Sequence, residues 1–403
     1  MPRQLDLRSG TPVWSRYRAP NVPVDALSAD RRCDVLVVGM GISGALIAEA
    51  LTASGLSVIA IDRRGPIMGS TAATTALVQY EIDQPLSLLS RRIGKDRAVA
   101  AWKRSRIAVA NLHGRIGRLG IDCRARLCPS LYLAGNLLDA DALEAEAAAR
   151  RAAGLDAVYL PRRALKQRFD MSRPGAILSS GNIALDPRRL AAGCLLLARE
   201  RGARFFAPVE AVAVEDSADE VAVATKHGPV IRAHHVVLAT GYELLDIVPK
   251  VPHSIISTWA IATAPQPRRL HAEETLVWEA SDPYLYLRQT HDGRIICGGE
   301  DEDFTDEDRR NALTAQKAQA ISRKLARLLP GVDAVPELAW AGSFGTTPDG
   351  LPYIGAIPRH PRLFATLGYG GNGITFSQIA SEMIPGLIAG DGDSDAAILG
   401  LAR

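Results

Sequence analysis

The stretch that most constrains this chain is residues 34–62, DVLVVGMGISGALIAEALTASGLSVIAID. It opens with Val35-Leu36-Val37-Val38, an apolar, mostly β-branched run of the kind that forms a strand buried on both faces. Gly39, Gly41 and Gly44 follow in G-x-G-x-x-G spacing. The first glycine lets the chain turn out of the strand. The second lets a pyrophosphate lie against the backbone, and the third lets the next helix pack closely on the sheet. A helix over 42–54 is capped by Gly55, a second apolar strand covers 56–61, and Asp62 stands at its end. The helix N-terminus offers free N–H groups and the positive end of its dipole to phosphates. An acid about 20 positions past the glycines is an acceptor for a ribose hydroxyl pair. Strand, glycines, helix, strand and acid in this order predict a site for an adenine dinucleotide. The stretch alone leaves NAD and FAD both open.

At 403 residues, 47% hydrophobic and 23% charged, the chain has the make-up of a globular enzyme. Its length predicts two domains, or one domain with a large insertion. A net charge of +3 gives no ground for a nucleic-acid partner or a membrane surface. Cys33, Cys123, Cys128, Cys194 and Cys297 are scattered, without C-x-x-C or Cys/His ligand spacing, so reduced thiols and no metal centre are expected. The N-terminal MPRQLDLRSGTPVWSRYRAP has no apolar h-region, and no uninterrupted apolar run reaches the roughly 20 residues of a membrane span. The expectation is a cytoplasmic protein without membrane insertion.

Residues 1–31, rich in Pro and Arg, read as an irregular leader lying over the surface, with Trp14 and Tyr17 in it. Past Asp62, Gly65-Pro66 marks a loop. Gly69-Ser70-Thr71 then offers hydroxyls and N–H groups suited either to a plain helix cap or to the same pyrophosphate. Apolar spacing predicts helices over 86–119 and 139–153, and Pro187 opens another that runs to 201. Strands over 209–214, 221–225 and 230–233 form a meander, followed by a buried strand over 235–239. Residues 254–300 read as antiparallel strands with turns at 265–267 and 292–293. A charged helix covers 305–329, and the chain from Trp340 onward returns to glycine-rich strand, turn and helix.

Two further stretches narrow the reading. One is Val236-Val237-Leu238-Ala239-Thr240-Gly241, a buried strand ending in small residues. The other is DGLPYIG over 349–355 followed by LFATLGYGGNGIT over 363–375. The loop from Gly368 to Gly373 opens a helix over 374–388. The positive end of such a helix, aimed at the pyrimidine edge of an isoalloxazine, stabilises the anion formed on reduction. Together with the N-terminal fingerprint, these stretches resemble the FAD-dependent amino acid and amine oxidoreductases of the D-amino acid oxidase superfamily. The resemblance covers residues 12–395, and the branch containing γ-glutamylputrescine oxidase-like proteins is the most similar.

The resemblance implies a fold of α/β plus antiparallel β: a Rossmann-like FAD-binding domain of glutathione-reductase type with an inserted mixed-sheet substrate domain. Residues 1–29 would be the leader, with 30–95, 181–250 and 332–403 the discontinuous FAD domain and 96–180 and 251–331 the substrate domain. It assigns Gly39, Gly41, Ile42, Ser43 and Gly44 to the pyrophosphate, and Asp62 with Arg63 to the adenosine ribose. Ser70 and Thr71 form a second phosphate loop, and Val209 makes a backbone contact to adenine. Gly241, Gly370, Gly371, Asn372, Gly373 and Ile374 line the flavin. The segment after Gly69-Ser70-Thr71 is Ala72-Ala73-Thr74-Thr75, with neither His nor Cys, and no Cys lies between Trp340 and Pro352, so the FAD is expected to be non-covalent.

On the substrate side, strand alternation puts Tyr284, Tyr286 and Arg288 on one face. An arginine fork with two phenols suits a carboxylate; the same residues also fit a strand with its polar face in water. The run continues through Asp292, Gly293, Arg294, Gly298 and Gly299, part of which serves only to shape the sheet or contact flavin. Trp259, Tyr369 and Asn372 are further wall candidates, and His253, His271 and His291 read as structural. The expected reaction is hydride transfer from the carbon beside a neutral amine to flavin N5, giving an imine that water hydrolyses. The substrate would be a small amine or amino acid, with oxygen or another acceptor taking the electrons. A dehydrogenase subunit serving a partner, a non-catalytic FAD-binding protein and an NAD enzyme remain as alternatives. The identity of the amine, its stereochemistry and the oligomeric state are not legible.

Overall fold

A computed structural model describes residues 5–266 and 274–403. Within these residues the strands form two sheets. The first is built on parallel strands in the order His360–Leu367, Val230–Leu238, Arg31–Val38, Val58–Ile61 and Arg204–Phe206, with Tyr353–Ile357 added antiparallel at one edge. Alternate side chains of Arg31–Val38 enter two different cores, as a pleated strand requires. Val35 and Val37 pack under the helices, whereas Leu36 and Val38 join Val221, Val223 and Ile231 on the opposite face.

The expected meander is present as Ala211–Asp216, Val221–Thr225 and Val230–Leu238. Its last strand does not stop at 233. It runs on to Leu238 as one element, so a single strand closes the meander and also pairs with Arg31–Val38.

The second sheet runs Arg8–Gly10, Pro336–Thr346, Ser254–Thr263, Ile295–Glu302, Leu285–Gln289, Leu276–Glu279, Arg126–Leu133, Gly175–Ala184 and Leu77–Val78. Val158–Pro161 pairs alongside Gly175–Ala184. Most of its ladders are antiparallel, as expected for 254–300. Pro336–Thr346 belongs to this sheet through its pairing with Ser254–Thr263, so the chain crosses between sheets after Thr346. Helix Thr314–Leu328 covers this sheet with Ile321, Leu325 and Leu328.

Three further sequence expectations are corrected. The helix over 86–119 is two helices, Leu86–Ile93 and Lys95–Leu119, because Gly94 lies between them at φ 89°, in a region closed to a helix. The helix over 305–329 divides into Glu307–Ala312 and Thr314–Leu328. The leader is not a surface strap. Arg8–Gly10 adds an edge strand, and Val13 and Trp14 are wholly buried, the indole N–H of Trp14 donating to the Thr74 carbonyl at 2.5 Å. The readings at Pro267 and His271 lie outside the described residues. No helix among the described residues is long and apolar enough to cross a membrane.

Two helices position the site. Ile42–Ala53 packs against Gly373–Ala389, and their N-terminal ends meet, with the Ser43 and Ser377 hydroxyls 2.8 Å apart. Arg115, from Lys95–Leu119, ties the pair together. Its guanidinium donates to Glu49 (2.9 Å) and the Leu46 carbonyl (2.8 Å) on the first helix, and to Gln378 (3.0 Å) and Ser381 (2.8 Å) on the second. Glu49 also pairs with Arg201, so removing Arg115 leaves that carboxylate a cation and costs chiefly the charge-assisted hydrogen bonds of the clasp. Arg115→Ala is therefore expected to lower folding stability by about 1.5–3 kcal/mol, read as a fall in the urea midpoint. A loss within error of zero would show that the clasp carries no weight.

Candidate functional site

Gly39 ends the central strand at φ 112°, and a Cβ there would overlap the Ala239 carbonyl of the neighbouring strand. A Cβ on Gly44 would overlap the Gly39 carbonyl, so the helix sits on the turn as closely as backbone allows. The first free N–H of that helix, on Ile42, donates to the Thr71 hydroxyl at 2.9 Å. The Ser70–Ala72 turn is thus stitched to the glycine turn, and Gly39, Gly41, Ile42, Ser43, Ser70 and Thr71 all line one cavity. Gly44 lies behind it, serving the packing of the helix.

Asp62 lines the same cavity. Its carboxylate accepts the backbone N–H groups of Met40 (2.9 Å), Arg64 (2.7 Å) and Gly65 (3.0 Å), which fixes the loop that follows. Val209, also in the wall, donates its N–H to the Asp62 carbonyl at 2.8 Å. Arg63 faces Glu210 at 3.5 Å and forms a close pair with Glu243, and Arg64 makes a two-pronged pair with Glu243 at 2.7 Å on each arm. Burial holds both guanidinium groups below their ordinary pKa, the Arg63–Arg64 repulsion adding to the shift at Arg63. Arg64, Glu210 and Glu243 were not legible as site residues, because no local motif joins 64 to 243.

On the other side of the cavity stand Gly241, Gly370, Gly371, Asn372, Gly373 and Ile374. The loop is held by the segment from Gln79 to Asp83. Gly371 donates its N–H to Asp83 at 2.7 Å, and Asp83 donates its own N–H to the Asn372 side chain at 3.2 Å. The Asn372 amide also donates to the Glu81 carbonyl at 2.8 Å, and the Thr375 hydroxyl to that of Gln79 at 2.7 Å. Asn372 therefore shapes the glycine loop more than it offers a free polar group. Tyr242, absent from the sequence reading, lines the wall too, its phenol pushed up to about 12 by burial.

Tyr284 and Tyr286 line the cavity, with ring centroids 5.2 Å apart. Arg288 does not. The alternation is real, but the leader changes its outcome: the Trp14 ring lies 5.1 Å from the guanidinium carbon, and Nη2 donates to the Leu185 carbonyl at 2.9 Å. The expected cluster of two phenols and an arginine is not assembled in the wall. Burial lowers Arg288 to about 10. Gly298 sits opposite Tyr286, where a Cβ would run into the phenol ring, so its bareness makes room for that ring. Trp259 is core and wall at once, donating its indole N–H to the Arg310 carbonyl at 3.1 Å. Tyr369 lines the cavity. His253 sits by the Val251 carbonyl at 3.1 Å and His291 packs against Tyr17, both away from the wall.

Just beyond Gly299 the ladder is irregular. Ser257 pairs with Glu302 and Trp259 with Gly299, so Thr258 faces two residues, Glu300 and Asp301. Glu300 takes φ 60°, as a bulge residue does. The bulge brings Asp301 beside the Tyr284 and Thr258 hydroxyls, while Glu300 and Glu302 turn to Lys317 and Lys324. Asp301 is pushed up to about 7, chiefly by burial, with the Asp83 charge adding and Lys317 opposing.

These residues fit a dinucleotide with a flat ring at one end. Two helix N-termini and two small-residue turns converge on one cavity, and the buried Thr240 hydroxyl in its wall has no partner among the described residues. The sequence profile of the FAD dependent oxidoreductase (DAO) family matches residues 34–384. The chain belongs to this family. It is 23% identical over 389 residues to γ-glutamylputrescine oxidoreductase of Escherichia coli (92% of this chain, 87% of the relative). It is 24% identical over 376 residues to glycine oxidase of Bacillus licheniformis (90% and 94%). In fold it matches glycine oxidase of Geobacillus kaustophilus with a TM-score of 0.78 at 21% identity, covering 93% of this chain and 99% of the other. L-proline dehydrogenase from P. horikoshii gives 0.75 at 20% identity, over 91% and 95%. The protein is an FAD-dependent oxidoreductase of this family.

The Asp301 carboxyl gives a pH signature. Its pKa lies above the value of about 3.9 in an unfolded chain, so the folded state holds the proton more tightly and stability falls as pH rises from about 4 to about 7. Asp301→Asn removes that cost. Its melting temperature is expected to exceed the wild type's by more at pH 8 than at pH 5, and an equal difference at both would contradict the assignment.

Proposed function

We propose that the chain oxidises the C–N bond of a small amine or amino acid with non-covalently held FAD, oxygen or another acceptor then taking the electrons. The observation that carries this reading is the meeting of two helix N-termini, joined through Ser43 and Ser377, on a cavity whose further wall holds Tyr284 and Tyr286. In this reading Gly39, Gly41, Ile42, Ser43, Ser70 and Thr71 receive the pyrophosphate, and Asp62, Arg63 and Val209 frame the adenosine. Gly241 and Gly370 to Ile374 face the ring. The Asp62 end would hold its half of the cofactor by shape and by the loop it orders, since the carboxylate is taken up by three backbone N–H groups.

The chemistry FAD supplies there is acceptance of a hydride at N5 from the carbon beside a neutral amine, after which water hydrolyses the imine. The protein has to orient that carbon, exclude water and keep negative charge stable where the helix Gly373–Ala389 begins. Tyr284 and Tyr286 are the residues we assign to substrate orientation. Arg288 stands behind the wall against Trp14 and is not a direct carboxylate fork in this reading.

The parallel sheet with its G-x-G-x-x-G turn supports a Rossmann-like domain of glutathione-reductase type, grouped from 30–95, 181–250 and 332–403. The larger sheet supports a substrate domain from 96–180 and 251–331, joined by the leader and by Pro336–Thr346. The names of the relatives, an oxidoreductase of γ-glutamylputrescine and oxidases of glycine, favour amines and amino acids as the substrate class. Five unpaired cysteines suit a reducing compartment such as the cytoplasm.

The test is an anaerobic screen of the purified protein against glycine, sarcosine, proline, D- and L-amino acids, polyamines and γ-glutamylated amines, followed by bleaching of the flavin band. At least one compound is expected to bleach it. Recovery of colour on admitting air would mark an oxidase, and recovery only with an artificial acceptor a dehydrogenase. FAD that no amine reduces would overturn the assignment.

A further inference from the structure

We propose that the substrate end of the cavity receives a cation: a protonated amine that the substrate carries in addition to the amine that reacts. The inference rests on the amine-oxidising reading above and names its substrate class more narrowly. Its basis is where the charges lie. Among the described residues in the cavity wall, the arginines and lysines are Arg63 and Arg64, both committed to Glu243 at the Asp62 end. Arg288, the cation that sequence alternation brings to the substrate strand, is withdrawn under Trp14.

The wall carboxylates are unequally engaged. Asp62 is bound by three backbone N–H groups, and Glu210 and Glu243 face arginines. Asp83 has one partner, the Gly371 N–H at 2.7 Å, and no ion pair among the described residues. Behind Tyr284 stands Asp301, also in no ion pair; Lys317, the cation whose charge reaches it, is taken by Glu300 and Glu302. Burial pushes the Asp83 and Asp301 carboxyls up, the Asp83 charge adding at Asp301, so both gain from a cation, and among the described residues this end of the cavity supplies none.

Its other walls suit the same ligand. Tyr284 and Tyr286 present two rings tilted by 33°, and Trp278, paired with Tyr286 across the ladder, adds a third. Aromatic faces beside a carboxylate attract alkylammonium groups. Two independent signs show that a ligand belongs here rather than packed side chains. Trp278 is only 6% exposed and Gln79 8%, both line the cavity, and the indole N–H of one and the amide nitrogen of the other have no partner among the described residues. These donors fit an oxygen on the same substrate.

The experiment is calorimetric titration of the FAD-loaded protein with two inert probes of similar length, butyltrimethylammonium and pentanoate. Neither is an oxidisable amine, so binding is read without turnover. The cation is expected to bind about tenfold or more tightly than the anion. Asp83→Asn, which keeps an oxygen for the Gly371 N–H, is expected to abolish that preference in the protein that retains FAD. Equal or tighter binding of pentanoate, no binding of the cation, or an Asp83→Asn protein with FAD bound and the preference intact would each overturn the proposal. If the variant loses FAD, the wild-type ratio decides alone. Absence of the preference in wild-type protein whose flavin amines still bleach refutes the cation site only, whereas flavin that no amine bleaches refutes the underlying reading.

Discussion

The arrangement depends on Arg115 holding two helices side by side. A helix N-terminus carries unsatisfied N–H groups and a partial positive charge, and two of them brought together repel unless something holds them. Here the guanidinium bonds to Glu49 and Leu46 of one helix and to Gln378 and Ser381 of the other, and the Ser43–Ser377 contact joins their first turns. The result is a concentration of positive dipole at one place, matched to a ligand with a pyrophosphate and a ring that becomes anionic on reduction. The glycines matter because they let the turns approach this point, as the Gly44 contact with the Gly39 carbonyl makes plain.

The second sheet supplies the complementary half. Gly298 leaves room for the Tyr286 ring, and Gly299, at φ 143°, lies against the Tyr284 carbonyl. The bulge at Glu300 then turns Asp301 toward the tyrosines and sends its neighbours to the lysines of the covering helix. A regular ladder would have kept strict alternation and placed Asp301 on the other face. One inserted residue thus changes the electrostatics of the substrate end without altering the pairing on either side.

What the sequence disclosed was local. The strand–turn–helix over 34–62, the small-residue turn at Gly241 and the glycine loop at 368–373 each carry their geometry in consecutive residues, and all three reach the same cavity. What it did not disclose was long-range. Trp14 looks like a leader residue until it is found stacked on Arg288, more than 270 positions away, and that contact removes the arginine from the wall. Asp83 and Asn372 carry no motif together, yet they hold the flavin-side loop. Period-two alternation tells which face a side chain takes, and not what lies on top of that face. The extension of the strand to Leu238 was similarly decided by its pairing with Arg31–Val38 rather than by propensity.

The central claim is that one cavity between these elements holds a non-covalent FAD. The direct test is to precipitate the purified protein with acid and identify the released nucleotide by mass spectrometry, with its amount set against protein. The account predicts intact FAD in the supernatant, close to one per chain, and a colourless pellet. NAD in its place, or no dinucleotide from a well-folded protein, would contradict it.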